Sequence, residues 1–567
     1  MTGLPIVNTT SGRLQGFTKA EHNIHVFMGI PYAMPPTGNR RFKPPEPYIP
    51  PKDDNTVREC FNAGLAAPQT QMPFDTLMSV EIDADKQSED CLYMNIWTPT
   101  MDPEAKRPVL FWIHTGACMS GSGDQSFWDG TNFAKKDVVV VTFNYRLGAL
   151  GWMTLDHLAE KFDGSANNGL LDQIVAAEWV KNNIKVFGGD PNNITGYGSS
   201  AGACCLMAML ISPKANRRYF ERVILQSPPM FHFSPRDWAK FKGELFLRSL
   251  GFNPPGDDFD DELRNQVDVQ TILESQSLLT SWPNFLEGLA PVGPSGDDNK
   301  TLPCSLIEYY YHNPLPEHNK DIDIIIGYTR DEFNIFFPFL PDFHQMDDEM
   351  FVKTYFTHVF GRRHAREAYE IYKHQILPPF SPPSEVARYM CSDVMCRISV
   401  LLTAENLARH GHQVHLYEWR YEANDVENII KAAHMVDAIF SWDNLEYWEG
   451  NPFLGPGDVY ERDRIAKQVS QSIVAFANSS DPNHSGIPYW PKYDLNQCKA
   501  GIIFDREVTV EDELYHNGVN AWKTILKDYV KNPLFPYHPK TSYLINNTSK
   551  TTTISNEGDN NTKKRKL

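Results

Sequence analysis

The sequence lacks three features that would each point to a different class of protein. Its apolar runs, such as 109–113 and 138–141, are short, whereas a membrane-spanning helix needs about 20 apolar residues. Acidic residues outnumber basic ones by 71 to 53, a net charge of −18, which disfavours contact with a phosphate backbone. The nine cysteines are scattered and form no pair of C-x-x-C motifs. We therefore expect no membrane span, no nucleic-acid partner and no zinc site.

The two ends of the chain carry little apolar material. The first 16 residues show neither a basic segment nor an apolar core of 7–15 residues, the pattern of a secretory signal. This predicts a cytoplasmic protein with mainly reduced thiols. After about residue 540 the sequence is too polar to offset the entropy of ordering. The prediction is one folded domain over 1–540 and a disordered polar tail over 541–567.

Between these ends, β-rich runs alternate with helical stretches. Several runs are apolar without alternation, which is typical of central strands covered on both faces. The clearest helical stretch is 170–186, whose apolar face is broad enough to pack on a sheet. The alternation predicts an α/β fold with a large, mostly parallel sheet flanked by helices. Two more polar segments, 237–291 and 342–400, are predicted to be helical excursions that cap this sheet. The predicted strands are 95–98, 109–114, 138–145, 193–198, 222–226, 323–327, 414–420 and 502–505.

The strongest local motif is G-Y-G-S-S-A-G-A over 196–203. Gly198, Ser200 and Gly202 fit G-x-S-x-G between a β-like run and a predicted helix over 201–211, the context of a nucleophile elbow. The small neighbours permit a sharp strand-to-helix turn around a strained serine. Taken alone, the motif also allows Ser200 to be a simple helix N-cap.

Four further segments accompany the motif in order along the chain. They are F-M-G-I-P-Y-A-M-P-P-T-G-N-R-R-F-K-P-P (27–45), S-E-D-C-L-Y-M-N-I-W-T-P (88–99), F-N-Y-R-L-G-A-L-G (143–151) and the run from N-G-L-L-D-Q to the elbow (168–203). With them the chain resembles the type-B carboxylesterase/lipase family, the cholinesterase-like α/β-hydrolases, over most of residues 5–535. The resemblance implies an α/β-hydrolase fold and hydrolysis of carboxylic esters through an acyl-enzyme, without cofactor or metal.

The resemblance also implies a catalytic triad. The elbow residue Ser200 maps onto the nucleophile. The family's acid follows a late strand in a G-x-x-x-D-E pattern, here G-Y-T-R-D-E, which implies Glu332 with Asp331 as its adjacent rival. The histidine corresponds to His434 in K-A-A-H-M-V-D. The chain order of serine, acid and histidine is that of α/β-hydrolases.

The turn T-G-A-C after His114 corresponds to the family's oxyanion loop. Its implied donors are the N–H groups of Gly116, Ala117 and Ala201, and His114 is expected to orient the turn. Thr115 and Ala117 replace glycines, and Ser199 replaces the usual glutamate. If Thr115 requires a positive φ, strain displaces the donors; if its φ is negative, the hole is intact. Ser199 either alters proton traffic or bonds locally to backbone.

The substrate class is inferred from a missing tryptophan. Cholinesterases place one about ten residues before the S-E-D-C cysteine, where this chain has Glu81, so neutral esters are favoured over choline esters. Phe333 and Phe336 are expected to line an acyl pocket. The rival hypothesis is a non-catalytic, neuroligin-like binding protein on the same fold.

Cysteine usage also departs from the family pattern. Cys91 matches one half of the family's first disulfide, but Ala67 stands where its partner is expected. A bridge from Cys60 to Cys91 would need a rearranged loop and stays open. Cys204 and Cys205 are expected to be buried packing residues.

Overall fold

The fold is known from a computed structural model that describes residues 4–522 with gaps. The gaps are 52–55, 79, 81–82, 231–235, 255–258, 280–291, 297–299, 341, 423–428, 452, 455–456, 496–498, 515–517, 519 and 521. The polar tail over 541–567 and Glu81 lie outside the described residues.

The described residues form a three-stranded sheet, β1-β2-β5, and an eleven-stranded sheet, β14-β13-β12-β11-β10-β9-β7-β8-β6-β4-β3. The strands are β1 Ile6–Thr9, β2 Gly12–Gln15, β3 Phe17–Lys19, β4 Ile24–Pro31, β5 Val57–Glu59, β6 Tyr93–Thr98, β7 Arg107–Ile113, β8 Val139–Phe143, β9 Gly189–Ser199, β10 Arg222–Gln226, β11 Asp323–Thr329, β12 Val414–Trp419, β13 Gly501–Phe504 and β14 Thr509–Glu511.

Parallel pairing dominates the middle of the large sheet. The seven strands from β8 through β7, β9, β10, β11 and β12 to β13 run parallel to one another. Antiparallel strands extend it at both edges, with β14 on one side and β6, β4 and β3 on the other. Every residue of β8 is buried, as expected for a strand covered on both faces. The predicted mostly parallel α/β sheet is confirmed, and all eight predicted strands are present.

Helices cover the sheet and form the excursions. The described α-helices are Pro73–Leu77, Thr131–Ala134, Gly148–Trp152, Asn168–Asn183, Ala201–Ile211, Arg236–Ser249, Asp260–Asn265, Val269–Leu279, Leu306–His312, Asp348–Phe351, Thr357–Ile371, Pro383–Ser392, Ile398–Arg409, Val436–Ser441 and Val459–Ser479. Wider π-type turns at Val352–Phe356, Tyr372–Ile376 and Asp393–Arg397 join some of them. The described parts of both predicted excursions are largely helical.

Shorter 3-10 helices lie at Gly38–Arg40, Ala84–Lys86, Ser126–Trp128, Glu160–Phe162, Ser165–Asn167, Ile184–Phe187, Glu317–Asn319, Glu332–Phe339, Phe343–Gln345 and Leu445–Trp448. The segment Glu332–Phe339 follows β11 closely and carries one residue of the candidate site. Within the described ranges, none of the helices has the length and apolarity required to cross a bilayer.

Candidate active site

Ser200 stands at a sharp turn between β9 and the helix Ala201–Ile211. Its backbone has φ 56° and ψ −124°, a conformation in which an L-residue is strained. A side chain at Gly202 would place its Cβ 2.1 Å from the carbonyl oxygen of Ile113, so only glycine lets the helix approach β7 this closely. The Ser200 side chain makes no capping hydrogen bond to the helix. The local geometry is therefore that of an elbow rather than of a side-chain N-cap.

A continuous hydrogen-bonded chain connects the three predicted triad residues. The Ser200 hydroxyl lies 2.8 Å from Nε2 of His434, and Nδ1 of the same ring lies 2.5 Å from Oε2 of Glu332. Since a carboxylate only accepts, Nδ1–H is the donor and Nε2 is left to accept from the serine. All three residues are buried. The structure thus brings together side chains that are 102 and 234 positions apart.

The two adjacent carboxylates after β11 have separate surroundings. Oε1 of Glu332 accepts from the hydroxyl of Ser227 at 2.7 Å and from the N–H of Thr329 at 2.8 Å. Asp331 instead accepts hydrogen bonds from Arg330 and Arg388. Burial opposes ionisation of Asp331, but these two cations outweigh it and hold its pKa below the usual value. Glu332, not Asp331, faces the histidine.

Two backbone hydrogen bonds hold the histidine loop against the end of β11. The N–H of Asp331 donates to the carbonyl of Ala432 at 2.9 Å, and the N–H of His434 donates to the carbonyl of Glu332 at 3.3 Å. The next residue, Met435, has a φ of 80° and ends the loop before the helix Val436–Ser441. The position of the imidazole is therefore set by main-chain contacts as well as by its ring.

The turn after β7 is tightly constrained. Gly116 has a φ of 109°, and Ala117 and Cys118 follow at 55° and 60°, whereas Thr115 lies outside the left-handed region. A Cβ on Gly116 would lie 2.0 Å from the carbonyl oxygen of Ser120. The Gly116 carbonyl accepts from the N–H groups of Met119 and Ser120. Of the two alternatives for Thr115, the unstrained one is observed.

The side chain of His114 contacts this turn and packs on a neighbouring aromatic ring. Its Nδ1 lies 2.7 Å from the carbonyl of Thr115, so Nδ1–H donates, and its ring stacks on Tyr145 with centroids 4.4 Å apart. Burial lowers the pKa of His114 to about 4. A neutral imidazole that orients the turn agrees with this environment.

Gly116, Ala117 and Ala201 share one small cavity with Ser200 and His434. It has about 50 Å³ of free volume, and His434 is the one ionisable residue among its described lining. The lining residues are Phe74, Met78, Thr115, Gly116, Ala117, Ser200, Ala201, Pro229, Ile335, Phe336, Met395, His434 and Met435.

The two predicted pocket residues differ in position. Phe336 lines the cavity, while Phe333 is not part of this lining and packs behind Phe336 with ring centroids 5.5 Å apart. Ser199 is fully buried, and its hydroxyl donates to the sulfur of Met435 at 3.4 Å. The Ser199 hydroxyl thus contacts a side chain 236 positions away in the chain.

Sequence reasoning missed two residues that touch the triad. Ser227 directly follows β10, and this place at a strand end was the signal that could have found it. Cys396 gave no signal in the sequence. Its fully buried Sγ lies 3.9 Å from Nδ1 of His434 and donates to the carbonyl of Ser227 at 3.2 Å. Burial, and then the charge of Glu332, raise the pKa of the Cys396 thiol well above its usual value.

The remaining cysteines singled out in the sequence are also thiols. Cys60 and Cys91 are both buried and both free, and Cys204 and Cys205 are buried on the helix after the elbow. The structure thus contains no bridge between Cys60 and Cys91.

Comparisons with known proteins agree with this architecture. The family model described as "Carboxylesterase family" matches residues 3–522. Phenmedipham hydrolase of Pseudarthrobacter oxydans is 31% identical over 90% of this chain and 97% of its own length. Para-nitrobenzyl esterase of Bacillus subtilis is 30% identical over 90% and 96%. A crystal structure of a carboxylesterase from Geobacillus stearothermophilus has a TM-score of 0.78 at 33% identity and covers 91% of this chain and 99% of its own.

These matches favour an enzyme over the alternative of a binding protein on the same fold. They span nearly the whole chain, and the named relatives are hydrolases and esterases. The chain therefore belongs to the carboxylesterase family and is a carboxylesterase-type hydrolase with the α/β-hydrolase fold.

Proposed function

We propose that Ser200, His434 and Glu332 are the nucleophile, the base and the acid of an acyl-enzyme mechanism. The observation that carries the proposal is the unbroken chain from the Ser200 hydroxyl through both ring nitrogens to the Glu332 carboxylate. A serine hydroxyl is a weak nucleophile until a base removes its proton. Nε2 of His434 is within reach to do so.

In the first half-reaction Ser200 attacks the ester carbonyl as His434 takes its proton. Glu332 stabilises the imidazolium and holds the tautomer. The proton then passes from His434 to the leaving alcohol, and the acyl group stays on Ser200. In the second half-reaction water attacks the acyl group while His434 takes a proton from it. His434 then returns this proton to the Ser200 oxygen, and the carboxylic acid is released.

The N–H groups of Gly116, Ala117 and Ala201 are the proposed oxyanion donors. Two of them belong to the turn at positive φ, and the third opens the helix whose positive end points at the serine. Such donors stabilise the tetrahedral intermediate because negative charge develops there and is absent from the ground-state ester.

The proposed substrates are neutral carboxylic esters with a small acyl group. Among the described residues, the lining around Ser200 is mainly apolar, offers a cation no carboxylate, and leaves about 50 Å³ free. Burial of a charged group there would be unfavourable without a partner. An acyl-length series of aryl esters, with a choline ester for comparison, tests this substrate class. Higher kcat/KM for the choline ester or for the longest acyl chain would contradict it.

A fluorophosphonate probe tests the nucleophile directly. We expect one covalent adduct per wild-type chain and none on Ser200→Ala in intact-protein mass spectrometry. Ser199→Ala is the matched control, because it removes the neighbouring buried hydroxyl, and it should still be labelled. An adduct that persists on Ser200→Ala would contradict the assignment.

A further inference from the structure

Three potential metal ligands meet behind the catalytic histidine. One ligand atom each from Glu332, Cys396 and His434 lies within 4.8 Å of the other two, and all three residues are buried. The donors are a carboxylate oxygen, a thiol sulfur and an imidazole nitrogen. This combination suits zinc and its softer congener cadmium, whereas magnesium and calcium prefer oxygen alone.

We propose that Glu332, Cys396 and Nδ1 of His434 form an inhibitory binding site for a thiophilic divalent cation, Zn²⁺ or Cd²⁺. The inference rests on the proposed function only for its activity readout. Binding forms metal–sulfur, metal–nitrogen and metal–oxygen bonds. The Cys396 thiol releases its proton to solvent, and the His434 proton moves from Nδ1 to Nε2. No electron is transferred.

The distances fit a tetrahedral site after a small movement. With a Zn–S bond of about 2.3 Å and a Zn–N bond of about 2.0 Å, tetrahedral ligands lie roughly 3.5 Å apart. The observed separation from Sγ of Cys396 to Nδ1 of His434 is 3.9 Å. The 2.5 Å contact between His434 and Glu332 must open by roughly 1 Å to reach the same spacing.

That opening is the source of inhibition. The metal and the catalytic hydrogen bond require the same nitrogen, so the two states exclude one another. In the metal-bound state Nε2 carries the proton and cannot accept from Ser200, and the bond between His434 and Glu332 is absent. Cation binding and triad catalysis therefore compete.

The described lining of the active-site cavity holds no carboxylate for an organic ammonium ion, but it does present sulfur atoms to a thiophilic metal ion. Its wall contains the thioethers of Met78, Met395 and Met435, and Met395 is the chain neighbour of Cys396. Thioether sulfur is a ligand for soft metals and binds magnesium or calcium poorly. These thioethers therefore favour the same soft metals as the donor set does.

The test combines direct binding with activity on the full chain. Cadmium chloride is titrated into wild type, Cys396→Ala and Cys391→Ala, and bound cadmium is measured by equilibrium dialysis together with thiolate-to-cadmium absorption. Cys391→Ala is the matched control because it removes another buried thiol from the preceding helix. Zinc inhibition of aryl-ester hydrolysis is compared with each variant's own metal-free rate, with magnesium chloride as the control salt.

We expect wild type and Cys391→Ala to bind one equivalent more cadmium than Cys396→Ala and to show the thiolate absorption. Zinc should inhibit both at least tenfold more strongly than it inhibits Cys396→Ala, and a chelator should restore activity. Equal zinc inhibition of Cys396→Ala, or no thiolate-bound cadmium in wild type, would overturn the proposal. If Cys396→Ala does not fold, Cys396→Ser replaces it, since oxygen is a poorer cadmium ligand. An inactive wild type that still binds cadmium through Cys396 would refute the proposed function alone.

Discussion

Glu332 and Asp331 are neighbours in the chain, yet their carboxylates belong to different networks. Oε2 of Glu332 accepts a hydrogen bond from Nδ1 of His434 at 2.5 Å, whereas Oδ1 of Asp331 accepts one from the Arg388 guanidinium at 2.7 Å. The first network lies in the candidate active site, and the second ties the 3-10 segment after β11 to the helix Pro383–Ser392. We therefore expect the two adjacent acidic residues to have separable roles, one in the proposed reaction and one in structure.

This separation predicts opposite outcomes for two matched amides. Glu332→Gln should lower kcat by about 10³–10⁴, because an amide does not hold the histidine tautomer or stabilise the imidazolium. Asp331→Asn should leave most of kcat intact and lower the melting temperature, since Arg330 and Arg388 each lose one of two carboxylate partners and keep Glu422 and Glu385. Steady-state kinetics and thermal unfolding measure the two effects. A larger loss of kcat in Asp331→Asn than in Glu332→Gln would reverse the assignment.

A second prediction concerns the pH dependence of stability at Asp75. Burial raises the pKa of this carboxyl from 3.8 to about 6, against hydrogen bonds from Met72 and Ser120 that favour the anion. Between about pH 4 and pH 6 the unfolded chain has lost a proton that the folded chain retains. The free energy of unfolding therefore falls as pH rises through this window and levels off above it.

Asp75→Asn removes this dependence. The difference in unfolding free energy, wild type minus variant, should fall by at most about 3 kcal/mol between pH 4 and pH 7. Urea unfolding of both proteins across this range provides the measurement. A difference that stays constant with pH would show that Asp75 titrates normally.

A third prediction concerns the proposed oxyanion turn, where Thr115 and Ala117 stand in place of glycines. It distinguishes the effects of changing each of them to glycine. Ala117 has a φ of 55° and Thr115 does not lie in the left-handed region. Ala117→Gly should raise stability by about 0.5–1 kcal/mol, because an L-residue is strained there. Thr115→Gly relieves no strain and should leave kcat within about threefold. A rise in kcat of tenfold or more in Thr115→Gly would show that the native turn is defective.

A fourth prediction concerns acyl length. Phe336 lines the cavity, whereas Phe333 packs behind it. Phe336→Ala should shift kcat/KM toward longer acyl chains by about tenfold, since removing the ring opens the wall. Phe333→Ala should lower stability by about 3–5 kcal/mol with a smaller shift in preference. Equal shifts in both variants would indicate that the wall collapses as one unit.

The sequence was sufficient for features with a local signature. β10 runs from Arg222 to Gln226 and the elbow helix from Ala201 to Ile211, both as predicted, because apolar runs and the G-x-S-x-G turn are encoded by neighbouring residues. The resemblance led to the three side chains that meet in the site. Phe336 and Phe333 could not be ranked, since their exposure to the cavity depends on the path of one 3-10 segment.

Features that depend on contacts between residues far apart in the chain could not be predicted from the sequence. Nothing around Cys396 indicates that its thiol lies beside an imidazole 38 positions away. The left-handed conformations of Ala117 and Cys118 were equally hidden, because their residue types favour negative φ and the surrounding turn overrides that preference. Such positions require the fold itself.

The arrangement of the three adjacent parallel strands β9, β10 and β11 has a consequence for how the protein loses activity on heating. β9 and β10 end directly before Ser200 and Ser227, whose backbones are therefore about one strand spacing, about 4.8 Å, apart. β11 ends at Thr329, three residues before Glu332. Two of the residues in the candidate site are thus held at the ends of sheet strands, and the loop that carries His434 is tied to the segment after β11 by two backbone hydrogen bonds. On heating, we expect ester hydrolysis and the circular dichroism signal of the sheet to be lost in the same transition. The rate of inactivation would then report the rate of global unfolding.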